Sequence, residues 1–256
     1  MNGLDKTVFP FGLGRPSTDD ASALADSVVN QLETALTVGL INDGDKLPPE
    51  IELAAEMGVS TVTLRQALSM LRNKGIIETR RGRGGGSYVR DSSAFSRERV
   101  EEHLRTNSIG LLRDLGDAAA AAAGSAARLA ALRALPEDVE RLTRFAHEFS
   151  VATQSNVCRR ADSRFHIEIG VAAQSPRLTL SILQLQGESS PLLWAPGTLL
   201  TDQSAQEHAL IVEAIKNRDE QRAQMLSVEH CEREAKVLIE HHLRLATAEQ
   251  RGGYRV

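Results

Sequence analysis

In the stretch EHALIVEAIKNRDEQRAQMLSVEHCER, helical patterning runs on both flanks and breaks only at Asn217-Arg218-Asp219. His208 and His230 stand roughly eleven residues to either side of that break, and because helical rise per residue is constant, an antiparallel turn there sets both imidazoles at the same height. A chain with this feature folds back as a helical hairpin, which commits its C-terminal part to helix packed on helix. Proline and glycine punctuate the preceding sequence in the same way, at Pro136, Pro176, Pro191 and Pro196-Gly197. The spacing predicts helices over about 155–174, 176–190, 200–217 and 219–246, with another opening at Pro136. The alanine-rich run LGDAAAAAAGSAARLAALRAL is expected to be an ordered helix, since alanine is the best helix former.

The N-terminal third has a different rhythm. Leu24, Val28, Leu32 and Leu36 recur at helical spacing and stop at Gly39; INDGDKLPPE then breaks structure, and Pro49 can open a short helix that ends at Gly58. Ser60 is placed to cap a following helix through Leu64, Ala67, Leu68 and Leu71, which stops at Gly75. IIETRRGRGGGSYV then reads as two short strands joined by a glycine-rich basic turn. A length of 256 residues exceeds the usual single core of about 100–150, so two domains are expected. The predicted division is a flexible arm over 1–20, a winged helix-turn-helix with a small β-hairpin over 21–90, a connector over 91–106, an all-α antiparallel helical bundle over 107–246 and a tail over 247–256.

Charge separates the two parts. The chain carries a net charge of −4, yet from Arg65 to Arg90 seven basic residues face a single acidic one, Glu78. Clustering of this kind, on a plan that sends one helix into the major groove and a hairpin along the backbone, points to double-stranded DNA rather than to a merely solvated surface. Two cysteines, Cys158 and Cys231, provide no disulfide framework, and neither a long apolar run nor a basic-then-apolar leader is present. A cytoplasmic protein without a membrane partner is the simple expectation.

The segment GDKLPPEIELAAEMGVSTVTLRQALSMLRNKGIIETRRGRGGGSYV resembles the DNA-binding domain of the GntR family of bacterial transcription regulators, over about residues 22–90. Its marks are GDKLP, the ELA-x-x-x-GVS turn, TLRQAL, KGII and RRGRG, in that order. The resemblance implies that Arg65 contacts a base or phosphate, that Thr63 contacts the backbone, and that Arg81, Gly82 and Arg83 form the wing tip; Arg72 adds positive charge to the same region. Chemistry agrees, because Arg can bond guanine or phosphate bidentately and glycine lets backbone approach closely. Two departures stand out: Glu50-Ile51 and Ser60-Thr61 occupy places where the family often has Glu-Arg and Ser-Arg, so two base-reading arginines are absent.

In CRRADSRFHIEIGVAAQ, Asp162 and His166 lie one helical turn apart on one face. By themselves they suit a hydrogen-bonded pair better than a metal. With His208 and His230 they make one carboxylate and three imidazoles, a set suited to a borderline divalent ion such as zinc, nickel or manganese. The order of these residues resembles the metal-binding version of the FadR C-terminal domain, called FCD, over about residues 107–243. That resemblance implies Asp162, His166, His208 and His230 as ligands of a metal facing a pocket for a small organic acid, with zinc the first expectation; Arg164 and Arg177 are candidate carboxylate partners, although surface ion pairing is the favoured role for each. Cys231 and Trp194 are expected to pack rather than bind. The combined expectation is a regulator rather than an enzyme: a homodimeric repressor released from its operator by a small carboxylate. A regulator with a purely structural or sensed metal is the alternative, and a metallohydrolase is a further one that would leave the DNA-binding half unexplained.

Overall fold

The computed structural model of the chain describes residues 21–90, 97–194 and 201–252. The expected arm over 1–20, residues 91–96 of the expected connector and the Pro196-Gly197 break therefore lie outside the described residues. What is described divides into two compact units, an N-terminal one that ends at residue 94 and a C-terminal one that begins at 95 and also takes residues 37–39.

In the N-terminal unit the order is α1 (Ala21–Thr37), α2 (Glu50–Met57), α3 (Thr61–Asn73), β1 (Ile77–Arg80) and β2 (Gly86–Val89). Val28, Leu32 and Leu36 of α1, Leu53 and Met57 of α2, and Leu64, Leu68 and Leu71 of α3 share one core. Gly58 ends α2 in the left-handed region, at φ 67°, where side chains are disfavoured, so the chain can turn sharply into α3. Ser60 then caps α3, its hydroxyl accepting from the Thr63 amide at 3.1 Å. The strands pair antiparallel, from Ile77 opposite Val89 to Arg80 opposite Gly86. Lys46 forms an additional bridge to Tyr88.

Among the described residues, seven helices make the C-terminal unit: α4 (Arg97–Thr106), α5 (Ile109–Arg133), α6 (Pro136–Val151), α7 (Ser155–Ala172), α8 (Pro176–Leu193), α9 (Thr201–Lys216) and α10 (Glu220–Gly252). The mainly helical architecture and the two-stranded wing are those the sequence predicts. The alanine run is helix α5, and its purpose is close approach: a Cβ on Gly116 would sit 2.4 Å from the Ala235 Cβ, and one on Gly124 2.5 Å from Val228. Small residues let α5 and α10 lie nearly backbone to backbone, at spacings a larger side chain would forbid. Between α9 and α10 the chain reverses at Asn217-Arg218-Asp219, with Arg218 at φ 57° and its guanidinium donating to the Leu132 carbonyl at 3.1 Å.

Two expectations need correction. Residues 97–106, expected as connector, form α4, whose Leu104 is buried with Leu112, Leu192, Leu193 and Leu238. One leucine in an otherwise charged segment suffices to anchor it, because burying a leucine stabilises by about 2 kcal/mol. The tail expected from 247 continues α10 to Gly252. His242 of α10 donates its Nδ1 hydrogen to the Leu104 carbonyl at 2.9 Å and so joins α10 to α4.

Candidate functional site

Helix α7 is buried on nearly every face, and its polar residues are therefore drawn inside: Asp162, Ser163, His166 and Glu168 are all buried. Each has an answer. Ser163 donates to Ser190 of α8 at 3.0 Å, and Glu168 accepts from Arg141 of α6 at 2.7 Å, where Arg141 also pairs with Asp138. Asp162 and His166 instead meet His208 of α9 and His230 of α10. One ligand atom from each of these four residues lies within 4.8 Å of all the others.

Individual distances show how close the set comes to a coordination shell. Nε2 of His166 and Nε2 of His230 are 3.2 Å apart, and Asp162 Oδ1 is 3.4 Å from His208 Nε2 and 3.8 Å from His166 Nε2. A tetrahedral ion with bonds of about 2.1 Å separates its donors by about 3.4 Å. Several of these atoms have no other use. Asp162 Oδ1 and both ring nitrogens of the fully buried His208 have no hydrogen-bond partner. Leaving such groups unsatisfied costs about 1–3 kcal/mol apiece, and a cation at their centre would satisfy Asp162 and one nitrogen of His208 together. The donor set therefore fits a divalent metal.

Packing holds the imidazoles in place. The His208 ring stacks on Phe165 with centroids 4.1 Å apart and is flanked by Phe149 at 4.8 Å. Phe149 in turn meets Trp194 edge-on at 5.8 Å, and the indole Nε1 of Trp194 donates to Asp162 Oδ2 at 3.4 Å. Trp194, expected only to pack, thus also fixes the Asp162 carboxylate, and this leaves Oδ1 turned toward the histidines.

Electrostatics sort the four residues. Burial pushes Asp162 up to about 8, and the nearby Glu234 adds to the push. Burial holds His166 and His208 well below the usual imidazole value, with His230 contributing, so both are neutral and their contacts with Asp162 are not ion pairs. Burial also pulls on His230, but Glu234, a hydrogen bond to Glu207 and Asp162 together keep it above its ordinary value. Glu207 is held at about 2: burial alone would raise it, but hydrogen bonds from His230 and Arg233 outweigh that. Cys231, beside His230 in sequence, packs against Ala120 and Ala123 and burial drives its thiol well up, so it remains a packing residue, as expected.

Sequence reasoning missed the residues around the cluster. Glu207 Oε2 lies 2.6 Å from His230 Nδ1, Arg233 bonds both oxygens of Glu207, and Glu234 Oε1 stands 3.3 Å from His230 Nε2. His230 and Glu234 at i, i+4 are a readable signal; Glu207, which adjoins His208 but serves His230, has none. Beside the cluster a cleft is bounded by Ala119, Ala123, His166, Ile169 and Gln186, and a second cleft shares Ala119 and Gln186 and reaches Glu234. Arg164 and Arg177 line neither: Arg164 donates to a main-chain carbonyl, and Arg177 is exposed on α8.

In the N-terminal unit the expected DNA-facing residues fall into two groups. Arg65, Arg81, Gly82 and Arg83 are exposed, Arg72 is half-buried with its guanidinium 3.5 Å from Thr79 Oγ1, and Arg65 pairs with Glu50 at 2.7 Å. Thr63 is buried and its hydroxyl lies 2.9 Å from that of Ser60, so it serves the helix cap rather than facing outward. Between the strands Gly82 and Gly84 take φ of 93° and 101°, and the Gly84 carbonyl accepts from Tyr88 at 2.7 Å and from Lys46 at 3.3 Å. Arg80 lies 4.2 Å over the Tyr88 ring. The glycine-rich tip is thus a folded turn that presents Arg81 and Arg83. Among the described residues no helix is long and apolar enough to cross a membrane.

Comparison with known proteins matches residues 24–86 to the bacterial regulatory proteins of the gntR family and residues 114–233 to the FCD domain. An HTH-type transcriptional regulator of Mycobacterium gastri, RmpR, is 39% identical over 231 residues, 89% of this chain and 84% of the relative. The L-lactate dehydrogenase operon regulatory protein of Escherichia coli K12 is 28% identical over 217 residues, 81% of this chain and 83% of the relative. The Glc operon transcriptional activator of the same organism is 29% identical over 178 residues, 65% of this chain and 67% of the relative.

Proposed function

The chain belongs to the GntR family of bacterial transcription regulators and is a DNA-binding regulator rather than an enzyme, and from this premise we propose that a small carboxylate, acting at a metal held by Asp162, His166, His208 and His230, controls its binding to an operator. The observation that carries the reading is the convergence of four buried donors, among which Asp162 Oδ1 and both ring nitrogens of His208 have no hydrogen-bond partner. A divalent ion there, zinc by its donor set, would supply a Lewis-acidic position for a carboxylate oxygen. The chain's own residues do the rest. Phe165 and Phe149 exclude water from one side of the cluster, while the two clefts give an organic acid a largely apolar place to lie. The E. coli relatives are regulators of operons named for L-lactate dehydrogenase and Glc, which favours a small hydroxy acid as the effector here.

At the other end of the chain, Arg65 on α3 is assigned to a base or phosphate, Arg72 to the general positive field, and Arg81, Gly82 and Arg83 to the wing contact with the sugar-phosphate backbone. A homodimer would place two such units on a pseudo-palindromic site. A ligand that binds preferentially to one arrangement of the two shifts the population away from DNA and makes the protein a repressor. The test is metal content and operator release together. Wild type should carry about one metal per chain and leave its operator when a small hydroxy acid is added; His208→Ala should carry far less and ignore the acid. Equal release from wild type and variant would overturn the metal's role in sensing, and release by metal alone would favour a metal sensor.

A further inference from the structure

Among the described residues, the two most exposed large apolar side chains are Ile51 and Val62, at 76% and 73%. Both lie in the N-terminal unit, each the second residue of its helix, α2 and α3. The ion pair of Glu50 with Arg65 ties the first turn of α2, which carries Ile51, to the first half of α3, where Val62 stands one turn before Arg65. On α3 the outward positions Val62, Arg65, Gln66 and Ser69 follow the helical repeat, while Thr63, Leu64, Ala67 and Leu68 face the core.

A single aliphatic residue on a surface needs no explanation. Two β-branched ones at the N-terminal ends of both helices of a helix-turn-helix are a different matter, because the first turn of the second helix is where such a motif meets base edges. The surrounding charge suits a polyanion, with Arg65 on the same face and Arg81 and Arg83 exposed on the wing. The major groove offers one apolar feature to such side chains, the 5-methyl group of thymine. Valine and isoleucine are stiff at χ1 in a helix, so little freedom is lost on contact.

We propose that Val62 and Ile51 are specificity-determining residues that pack on thymine 5-methyl groups, so that each operator half-site carries thymines where these side chains reach, beside the base read by Arg65. The proposal rests on α3 being the helix that enters the groove. Glu50 acts as a positioning residue: it accepts from Arg65 Nε while the arginine side chain stays exposed.

The experiment uses full-length protein and duplexes that it enriches from a random pool. Each thymine of the enriched half-site is replaced in turn by deoxyuridine, which pairs identically and lacks only the methyl group, and affinity is measured by fluorescence anisotropy at fixed salt. Removing a contacted methyl should weaken wild type about four-fold, the ratio to which ~0.8 kcal/mol for one buried methyl-sized group converts. Val62→Ala should bind the thymine and uracil duplexes alike at one position, and Ile51→Ala should do so at another. Both side chains are exposed, so neither substitution disturbs the core. The proposal is overturned if no uracil replacement matters to wild type, or if the penalty persists in both variants. Failure to enrich any duplex would instead overturn the groove-entering role of α3 on which the proposal stands.

Discussion

Glu207 and His230 are joined across α9 and α10 by a hydrogen bond of 2.6 Å, in which Nδ1 of the imidazole donates to a carboxylate that stays ionised. With Nδ1 committed to Glu207, Nε2 turns to His166 at 3.2 Å and is the atom that would hold a metal. Arg233 anchors the far side of Glu207, so the imidazole is held by a chain of charged groups rather than by packing alone. Partners of this kind orient a ligand and raise its basicity.

Replacing Glu207 by alanine should therefore weaken metal binding about 10–100-fold while leaving the helical content unchanged. Competition against a chromophoric chelator measures it. An affinity equal to that of wild type would show that packing alone orients His230.

Metal uptake should release protons near neutrality. Asp162 is held at about 8, far above its ordinary 3.8, so at pH 7 it is largely protonated in the metal-free protein and must ionise to bind. His166 and His208 are already neutral there and release nothing, whereas the raised His230 adds to the release. Taken alone, a folded-state value above the unfolded one means that Asp162 favours folding below about 4 and loses that contribution as pH rises toward 8. Titration calorimetry in buffers of different ionisation enthalpy should find about one proton or more released per metal at pH 7, falling toward zero above pH 9. A release independent of pH over that range would contradict the assignment.

Gly116→Ala should destabilise the C-terminal unit. Its new methyl would meet the Ala235 Cβ, which is fixed to the α10 backbone and cannot rotate away. Overpacking of this kind costs about 1–3 kcal/mol, against a gain of about 1 kcal/mol from helix propensity. Gly110→Ala, whose methyl would meet nothing closer than 3.7 Å, shows the propensity gain without the clash. Thermal unfolding should order the variants Gly110→Ala, wild type, Gly116→Ala from highest to lowest Tm.

The double substitution Arg81→Ala, Arg83→Ala should weaken operator and non-operator DNA alike and lower the slope of log affinity against log salt by about two, one for each phosphate that the wing no longer neutralises. Arg65→Ala should instead reduce the preference for operator over random sequence. Anisotropy titrations across a range of salt distinguish the two, and an unchanged slope in the double variant would remove the wing from the interface.

Much of this protein is legible in its sequence because the relevant information is local. The Asn217-Arg218-Asp219 reversal sets His208 and His230 level, since both distances run along regular helices; their rings meet with centroids 4.9 Å apart. Gly58, Ser60 and the glycines of the wing place turns through backbone rules that neighbouring residues impose. What tertiary structure alone decided lies across helices. Glu207 reaching His230, Trp194 fixing Asp162, Thr63 turned inward to its cap and Leu104 anchoring α4 depend on which face of each helix meets its neighbour. Helical periodicity places residues on a common face but leaves the opposing helix, its depth and its rotation to the packing of the whole unit. The Asp162, His166, His208 and His230 cluster was therefore readable as a pattern, whereas the groups that orient it became visible only once α7, α9 and α10 had closed around the same point.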